Sequence, residues 1–205
     1  PGAVAPRDVG IAIEVSGASP TEFYFSRDAD SEVDSDEQGG FCFVRPSIPG
    51  PMRVSFQDAQ GRPCHTHLLF ADPIESLVRA RARYICENQV EYENPRLRHA
   101  IVMTNIANGE RATKPEDYEE PSGIECSLAD ALFLAEKNTF FPEREQIGVL
   151  DSYITDFLLQ SVQNPGDHAV ASALQDDLSL GAYYGRLLSY PHVANLYHSM
   201  YRIAS

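Results

Sequence analysis

At Asp72-Pro73-Ile74-Glu75 the chain changes its hydrophobic repeat, and no other feature narrows the available folds as much. Upstream, apolar residues alternate with others. Val9, Ile11, Ile13 and Val15 are interleaved with Gly10, Ala12 and Glu14, and Met52, Val54 and Phe56 with Arg53, Ser55 and Gln57. A two-residue repeat belongs to a strand with one buried face. Phe23 to Phe25 and Phe41 to Val44 read as two more short strands. Asp58-Ala59-Gln60-Gly61 reads as a turn that joins the Met52 strand to a fifth, over Cys64 to Phe70, as a hairpin. Downstream, Asp72 offers an N-cap carboxylate, Pro73 the first helical position and Glu75 the third. Ile74, Leu77, Val78, Ala82 and Ile85 share one face at 3.6-residue spacing, which predicts a helix over 72–89. The expected class is α+β, with part of an antiparallel β-sandwich over residues 1–71 and helices over 72–205.

The helical part is punctuated by proline. Leu97 to Ile106 reads as a short helix or strand, and Thr113 to Gly123 as a polar loop. Ser127-Leu128-Ala129-Asp130 has the pattern of a capping box opening a helix to about Lys137. That helix is apolar almost all round and so is expected to be buried on several sides. Pro142 opens another, with Ile147, Leu150, Ile154, Phe157 and Leu158 on one stripe, and Asn164-Pro165-Gly166 stops it. The pair forms an αα-hairpin. A long loop over 167–189 precedes a last helix over 191–204. The apolar faces of these helices need partners. The 127–141 helix is expected to lack neighbours within the chain, leaving the chain alone marginal and association-prone.

Composition removes several function classes. With 205 residues and 43% hydrophobic content the chain can bury a core. A net charge of −14 repels polyanions, so no nucleic-acid partner is expected. Arg79, Arg81 and Arg83 are spread around their helix and read as a solvated side. No apolar run approaches the roughly 20 residues of a membrane span. The chain begins at Pro1, so the absence of a signal peptide says nothing of compartment; a secreted or periplasmic location is the expectation. Cys42, Cys64, Cys86 and Cys126 lack CxxC spacing and are read as free buried thiols rather than as two disulfides.

Motifs for chemistry are sparse. The acidic run Asp28, Asp30, Glu32, Asp34, Asp36, Glu37 reads as one solvated loop; it fails the EF-hand pattern, with Val33 and Gly39 where Gly and Glu are required. Cys64-His65-Thr66-His67 supplies two convergent ligands on a strand, too few for zinc. No metal or cofactor is expected. There is no G-x-S-x-G, no phosphate loop and no H-E-x-x-H. Paired carboxylates are the more informative case: Glu119, Glu120 and Glu125 precede the apolar helix, and Asp176 and Asp177 lie in the long loop. Glycoside hydrolysis needs two carboxyl groups across a cleft, contributed from distant sequence positions. Glu125, Asp176 and Asp177 are the catalytic candidates.

The hairpin from Pro51 to Phe70, the helix through Ala80-Arg81-Ala82-Arg83-Tyr84-Ile85-Cys86-Glu87-Asn88-Gln89, then Phe133-Leu134-Ala135-Glu136-Lys137-Asn138, Gln163-Asn164-Pro165 and Tyr190-Pro191-His192-Val193-Ala194 resemble a family of bacterial proteins similar to six-hairpin glycosidases. The resemblance covers roughly residues 50–205. It implies a β-sandwich followed by an (α/α)6 toroid, of which this chain would hold about four helices, the remainder of the ring being its partner. It also implies a carbohydrate-active role on a poly- or oligosaccharide, with a cleft built from inter-helix loops, here 116–126 and 164–191. Tyr118, Tyr190 and His192 are then the substrate-binding candidates. The alternative is a non-catalytic glycan-binding or scaffold protein on the same fold.

Overall fold

The computed structural model describes residues 2–16, 22–36, 39–58, 60–119, 121–171, 173–174 and 189–205. The chain divides into two compact units, Pro1–Leu77 and Val78–Ser205.

The first unit is built of strands β1 (Gly2–Pro6), β2 (Ile11–Ser16), β3 (Phe23–Phe25), β4 (Ala29–Asp36), β5 (Gly39–Pro46), β6 (Gly50–Gln57) and β7 (Pro63–Ala71). They form a four-stranded sheet in the order β1-β7-β6-β3 and a three-stranded sheet in the order β2-β5-β4. The alternation read in the sequence sets which side chains turn inward. Val44 from one sheet and Met52, Val54, Leu68 and Phe70 from the other are buried together, while Arg53, His65, His67 and Leu69 face out. The β6–β7 hairpin pairs Phe56 with Cys64 and Gly50 with Phe70. Its turn uses Gly61 at φ 73°, a left-handed value that costs glycine nothing.

The class is α+β as expected, and the described strand pairs are antiparallel but for one: β1, which the sequence pattern did not reveal, pairs with β7 in parallel, Val4 opposite Leu69. One expectation needs correction: the acidic run is not a loop. Most of it is β4, an edge strand antiparallel to β5 with Asp30 opposite Arg45. Alternating Asp30, Glu32 and Asp34 with Ser31 and Val33 is a strand period, and charges along an edge discourage pairing with another chain. Among the described residues no group of three or more His, Cys, Asp or Glu side chains is placed to hold a metal ion.

Helix α1 (Ile74–Asn88) starts where the Asp72-Pro73 signal puts it. Asp72 also accepts from Arg7 Nε at 2.8 Å. Only the later part of its apolar stripe is buried: Ala82 and Ile85 are fully covered, whereas Ile74 and Leu77 are exposed. Residues 90–112 form neither helix nor strand. Isolated antiparallel bridges, Val90 with Ile101 and Thr104 with Arg111, hold them. A single 3₁₀ turn (Pro115–Tyr118) leads to α2 (Pro121–Phe140), then α3 (Arg144–Ser152), a π-helical stretch (Tyr153–Val162) and α4 (Ser189–Ala204).

Helix α2 begins six residues before the expected capping box. Ser127 and Asp130 are therefore mid-helix, each used sideways: Ser127 Oγ lies 3.3 Å from the Tyr153 hydroxyl, and Asp130 binds Arg81 and Gln89. Gly123 permits this early start. A Cβ there would sit 2.7 Å from the Asp117 carbonyl oxygen and 2.9 Å from the Tyr118 ring. The αα-hairpin expected over 127–163 is present. Its turn is fastened by Asn138 Oδ1, which accepts from Glu143 N at 2.8 Å, and by the buried Lys137, which donates to Glu143 at 2.6 Å and to Gln146 at 2.7 Å.

Helix α2 does not lack neighbours. Ile124, Leu128, Ala131, Leu134 and Ala135 are all fully buried in one core with Leu97, Ile101, Tyr118, Leu150, Phe157, Val193 and Leu196. Each such leucine or isoleucine contributes roughly 1.5–3 kcal/mol. The partners come from the irregular 97–102 segment and from α4, which local periodicity does not reveal. Two of the three arginines are tied to other elements, Arg79 to Glu143 at 3.0 Å and Arg81 to Asp130 at 2.7 Å, while Arg83 is exposed as expected. No described helix is long and apolar enough to cross a membrane. All four cysteines are free, Cys42 buried, Cys64 and Cys86 half-buried and Cys126 exposed.

Candidate functional site

A cleft of about 560 Å³ opens in the helical unit. One wall is the turn-rich 103–114 segment, with Thr104, Asn105, Glu110, Arg111 and Lys114; the other is Asp117 with Cys126 and Asp130 of α2.

Each wall is fixed from beneath. Ala112 N donates to Met103 O at 2.9 Å, and the Tyr118 hydroxyl supplies the opposite pair, accepting from Met103 N at 3.1 Å and donating to Ala112 O at 3.0 Å. The phenol thus does what a further rung of backbone pairing would do. Burial raises its pKa well above the ordinary tyrosine value, so the hydroxyl stays protonated. Asn105 caps the tip, its Oδ1 accepting from Ala107 N at 3.0 Å. Arg111 Nη2 donates to Val90 O at 2.8 Å and reaches Glu91 Oε2 at 3.2 Å. Glu91 is nearly inaccessible, and its other oxygen accepts from Glu93 N and Asn94 N at 2.7 and 3.1 Å. A buried carboxylate with this many donors is a rigid anchor. On the α2 side, Asp130 accepts from Arg81 at 2.7 Å and from Gln89 at 2.8 Å, while Arg81 also donates to Gln89 Oε1 at 2.6 Å. This three-residue ring locks the carboxylate in place.

The cleft presents mixed polarity. The Lys114 ammonium makes no ion pair among the described residues, and Arg111 has donors to spare beyond the two acceptors it contacts. Glu110 and Asp117 supply carboxylates and Thr104 a hydroxyl. Donors and acceptors at close range suit a ligand rich in hydroxyl groups, each of which both gives and takes hydrogen bonds. The Cys126 thiol is pushed up by partial burial and by the nearby Asp130 and Glu125 carboxylates, which makes it a poor nucleophile.

The sequence candidates scatter. The expected 116–126 segment does line the cleft, through Asp117 and Cys126. Glu125 stands beside Cys126 on α2, half-buried. Tyr118 is fully buried, with its hydroxyl between two backbone groups, and so supports the wall from the core rather than offering a surface to a ligand. Tyr190 and His192 lie in the first turn of α4, exposed and half-buried respectively, and neither lines the cleft. Asp176 and Asp177 lie outside the described residues. Sequence reasoning missed Arg111, Lys114, Asn105 and Glu110. Their one local signal is Asn105-Ile106-Ala107-Asn108-Gly109, a turn with Gly109 at φ 73° that projects the wall.

No family model and no curated protein matches the chain. Among solved structures it is similar to a polysaccharide lyase, with a TM-score of 0.67 and 19% sequence identity. The likeness covers 98% of this chain and 30% of the lyase, so the chain spans less than a third of that protein's length. Both units described above, sheets and helices, therefore share a fold with part of that enzyme.

Proposed function

We propose that this chain belongs to a carbohydrate-active protein and takes part in handling a polysaccharide, with the 103–130 cleft as a sugar-binding site. The observation that carries this reading is the match of nearly the whole chain to a polysaccharide lyase. The cleft supports it independently. Arg111 and Lys114 can hold a carboxylate or a hydroxyl oxygen, and Glu110 and Asp117 can accept from hydroxyl groups. On this reading the helical unit is the opening part of an α/α toroid.

The reaction the six-hairpin resemblance implies is acid/base hydrolysis by paired carboxylates, for which Glu125, Asp176 and Asp177 are the sequence candidates, and Glu110 and Asp117 line the cleft beside Asp130. Hydrolysis and elimination leave different products. Both create a reducing end; elimination also leaves a carbon–carbon double bond that absorbs in the ultraviolet. The test is incubation of the protein with galacturonan, alginate, hyaluronan, xylan and cellulose separately, reading reducing ends, ultraviolet absorbance and binding. Reducing ends without absorbance give hydrolysis, and both together give elimination. Binding without turnover gives the glycan-binding alternative. No binding and no turnover on any of the five overturns the proposal.

A further inference from the structure

A second cluster stands outside the cleft lining, at His99. This residue has φ 63°, in the left-handed region that a side chain with a Cβ rarely occupies. The conformation is held by its own N–H, which donates to Glu91 O at 2.7 Å, and by the imidazole, whose Nδ1 lies 2.6 Å from Asp156 Oδ2. Asp156 sits in the first turn of the π-helical stretch, and its other oxygen accepts from Thr155 Oγ1 at 3.2 Å. The carboxylate accepts a hydrogen bond from Nδ1–H, and in the neutral imidazole this leaves Nε2 as an acceptor. Nε2 has no hydrogen-bond partner among the described residues, although only 18% of the side chain is accessible. The Tyr92 ring meets the imidazole edge-on at 5.7 Å between centroids and is itself 59% exposed.

The cluster is pre-organised. Tyr92 directly follows Glu91, whose carboxylate fixes Glu93 N and Asn94 N and receives Arg111 of the cleft wall. An exposed aromatic face on a rigid turn, beside a histidine with an oriented, unused acceptor, matches a pyranose ring: the C–H face lies on the aromatic, and an adjacent hydroxyl donates to the imidazole. We infer that Tyr92 and His99 form a sugar subsite, in which the Tyr92 ring carries one residue of a polysaccharide and His99 Nε2 accepts from one of its hydroxyl groups. The left-handed backbone and the Asp156 contact are then the means of aiming the imidazole.

This subsite rests on the carbohydrate reading, and the experiment separates the two. Tetrasaccharides of galacturonan, alginate, hyaluronan, xylan and cellulose are titrated calorimetrically into the wild type and into Tyr92→Ala, Tyr92→Phe and His99→Asn. Asparagine tolerates positive φ and can still donate to Asp156 in place of Nδ1, so only the Nε2 acceptor is lost. The expected result is binding weakened about fivefold or more by Tyr92→Ala and about threefold by His99→Asn, with Tyr92→Phe close to wild type and thermal midpoints unchanged. Wild-type affinity in both Tyr92→Ala and His99→Asn would overturn the subsite and leave the carbohydrate reading standing. So would a Tyr92→Phe loss as large as that of Tyr92→Ala, since the ring face would then not be the contact. No binding of any tetrasaccharide to the wild type would sink both.

Discussion

Replacing Tyr118 by Phe removes one oxygen and tests whether the cleft wall hangs on it. The ring is fully buried and its packing is retained in the variant, so no cavity term arises. What is lost is the bridge between Met103 N and Ala112 O, at 3.1 and 3.0 Å. Two neutral hydrogen bonds contribute about 1 kcal/mol each net, and leaving their partners unpaired adds a desolvation penalty. Met103 and Ala112 are half-buried, so water can satisfy part of that loss. The expected destabilisation is about 2 kcal/mol. With a urea dependence of roughly 2 kcal/mol per molar, the midpoint should fall by about 1 M. Urea titration followed by circular dichroism reads the helices directly. The cleft wall should loosen in step, with faster amide hydrogen exchange at Met103, whose N–H loses its acceptor, and at Ala112, whose N–H makes the adjacent backbone bond to Met103 O. A midpoint shift below about 0.25 M, with exchange unchanged at both amides, would refute the bridging role.

Other consequences follow from the same contacts. Gly123→Ala should destabilise by roughly 1–3 kcal/mol in a denaturant titration, because its Cβ would meet backbone oxygen at 2.7 Å and the buried Tyr118 ring at 2.9 Å. Burial raises the pKa of both Tyr118 and Tyr153 above the ordinary 10.0, so the folded state prefers the neutral phenols. Their contribution is complete below pH 10 and is lost as pH rises above it; the thermal midpoint should fall there, and less steeply in Tyr118→Phe. Lys137→Met should cost about 2 kcal/mol in the same titration by removing two charge-assisted hydrogen bonds from a fully buried ammonium. The Lys137 hydrogen bond, followed by that of Arg79, lowers the Glu143 pKa below its usual 4.5, so that contribution is present above pH 4.5 and lost as pH falls through the folded value. The acid limb of a stability–pH curve should therefore flatten in Lys137→Met.

Local pattern carried the elements well and their partners poorly. The alternation at Met52, Val54 and Phe56 and the Asp72-Pro73 start signal are short-range, and the structure follows both. Strand β1 escaped because Gly2-Ala3-Val4-Ala5-Pro6 has no alternation to read; its pairing with β7 is fixed only by the fold. The Ser127 to Asp130 box misled because the same residue types serve a helix interior when long-range partners, here Tyr153, Arg81 and Gln89, take their polar atoms. The cleft was half legible: a loop before α2 was expected to line it, and Asp117 does. Arg111 and Lys114 were not legible, because the segment becomes a wall through contacts that local pattern does not show, the bridge between Thr104 and Arg111 and the Tyr118 hydroxyl among them. Tyr118 shows the converse, a loop aromatic that resembles a sugar platform in sequence and is consumed as a core bridge in the fold.

The claim on which the functional reading depends is that the 103–130 cleft receives a polysaccharide. Its most direct measurement is an amide chemical-shift titration of the protein with a tetrasaccharide that binds it. The largest shifts are expected at Thr104, Asn105, Glu110, Arg111 and Lys114, with binding weakened in Lys114→Ala. Shifts confined to β1–β7, or a Lys114→Ala variant that binds as the wild type with the cleft amides unmoved, would contradict it.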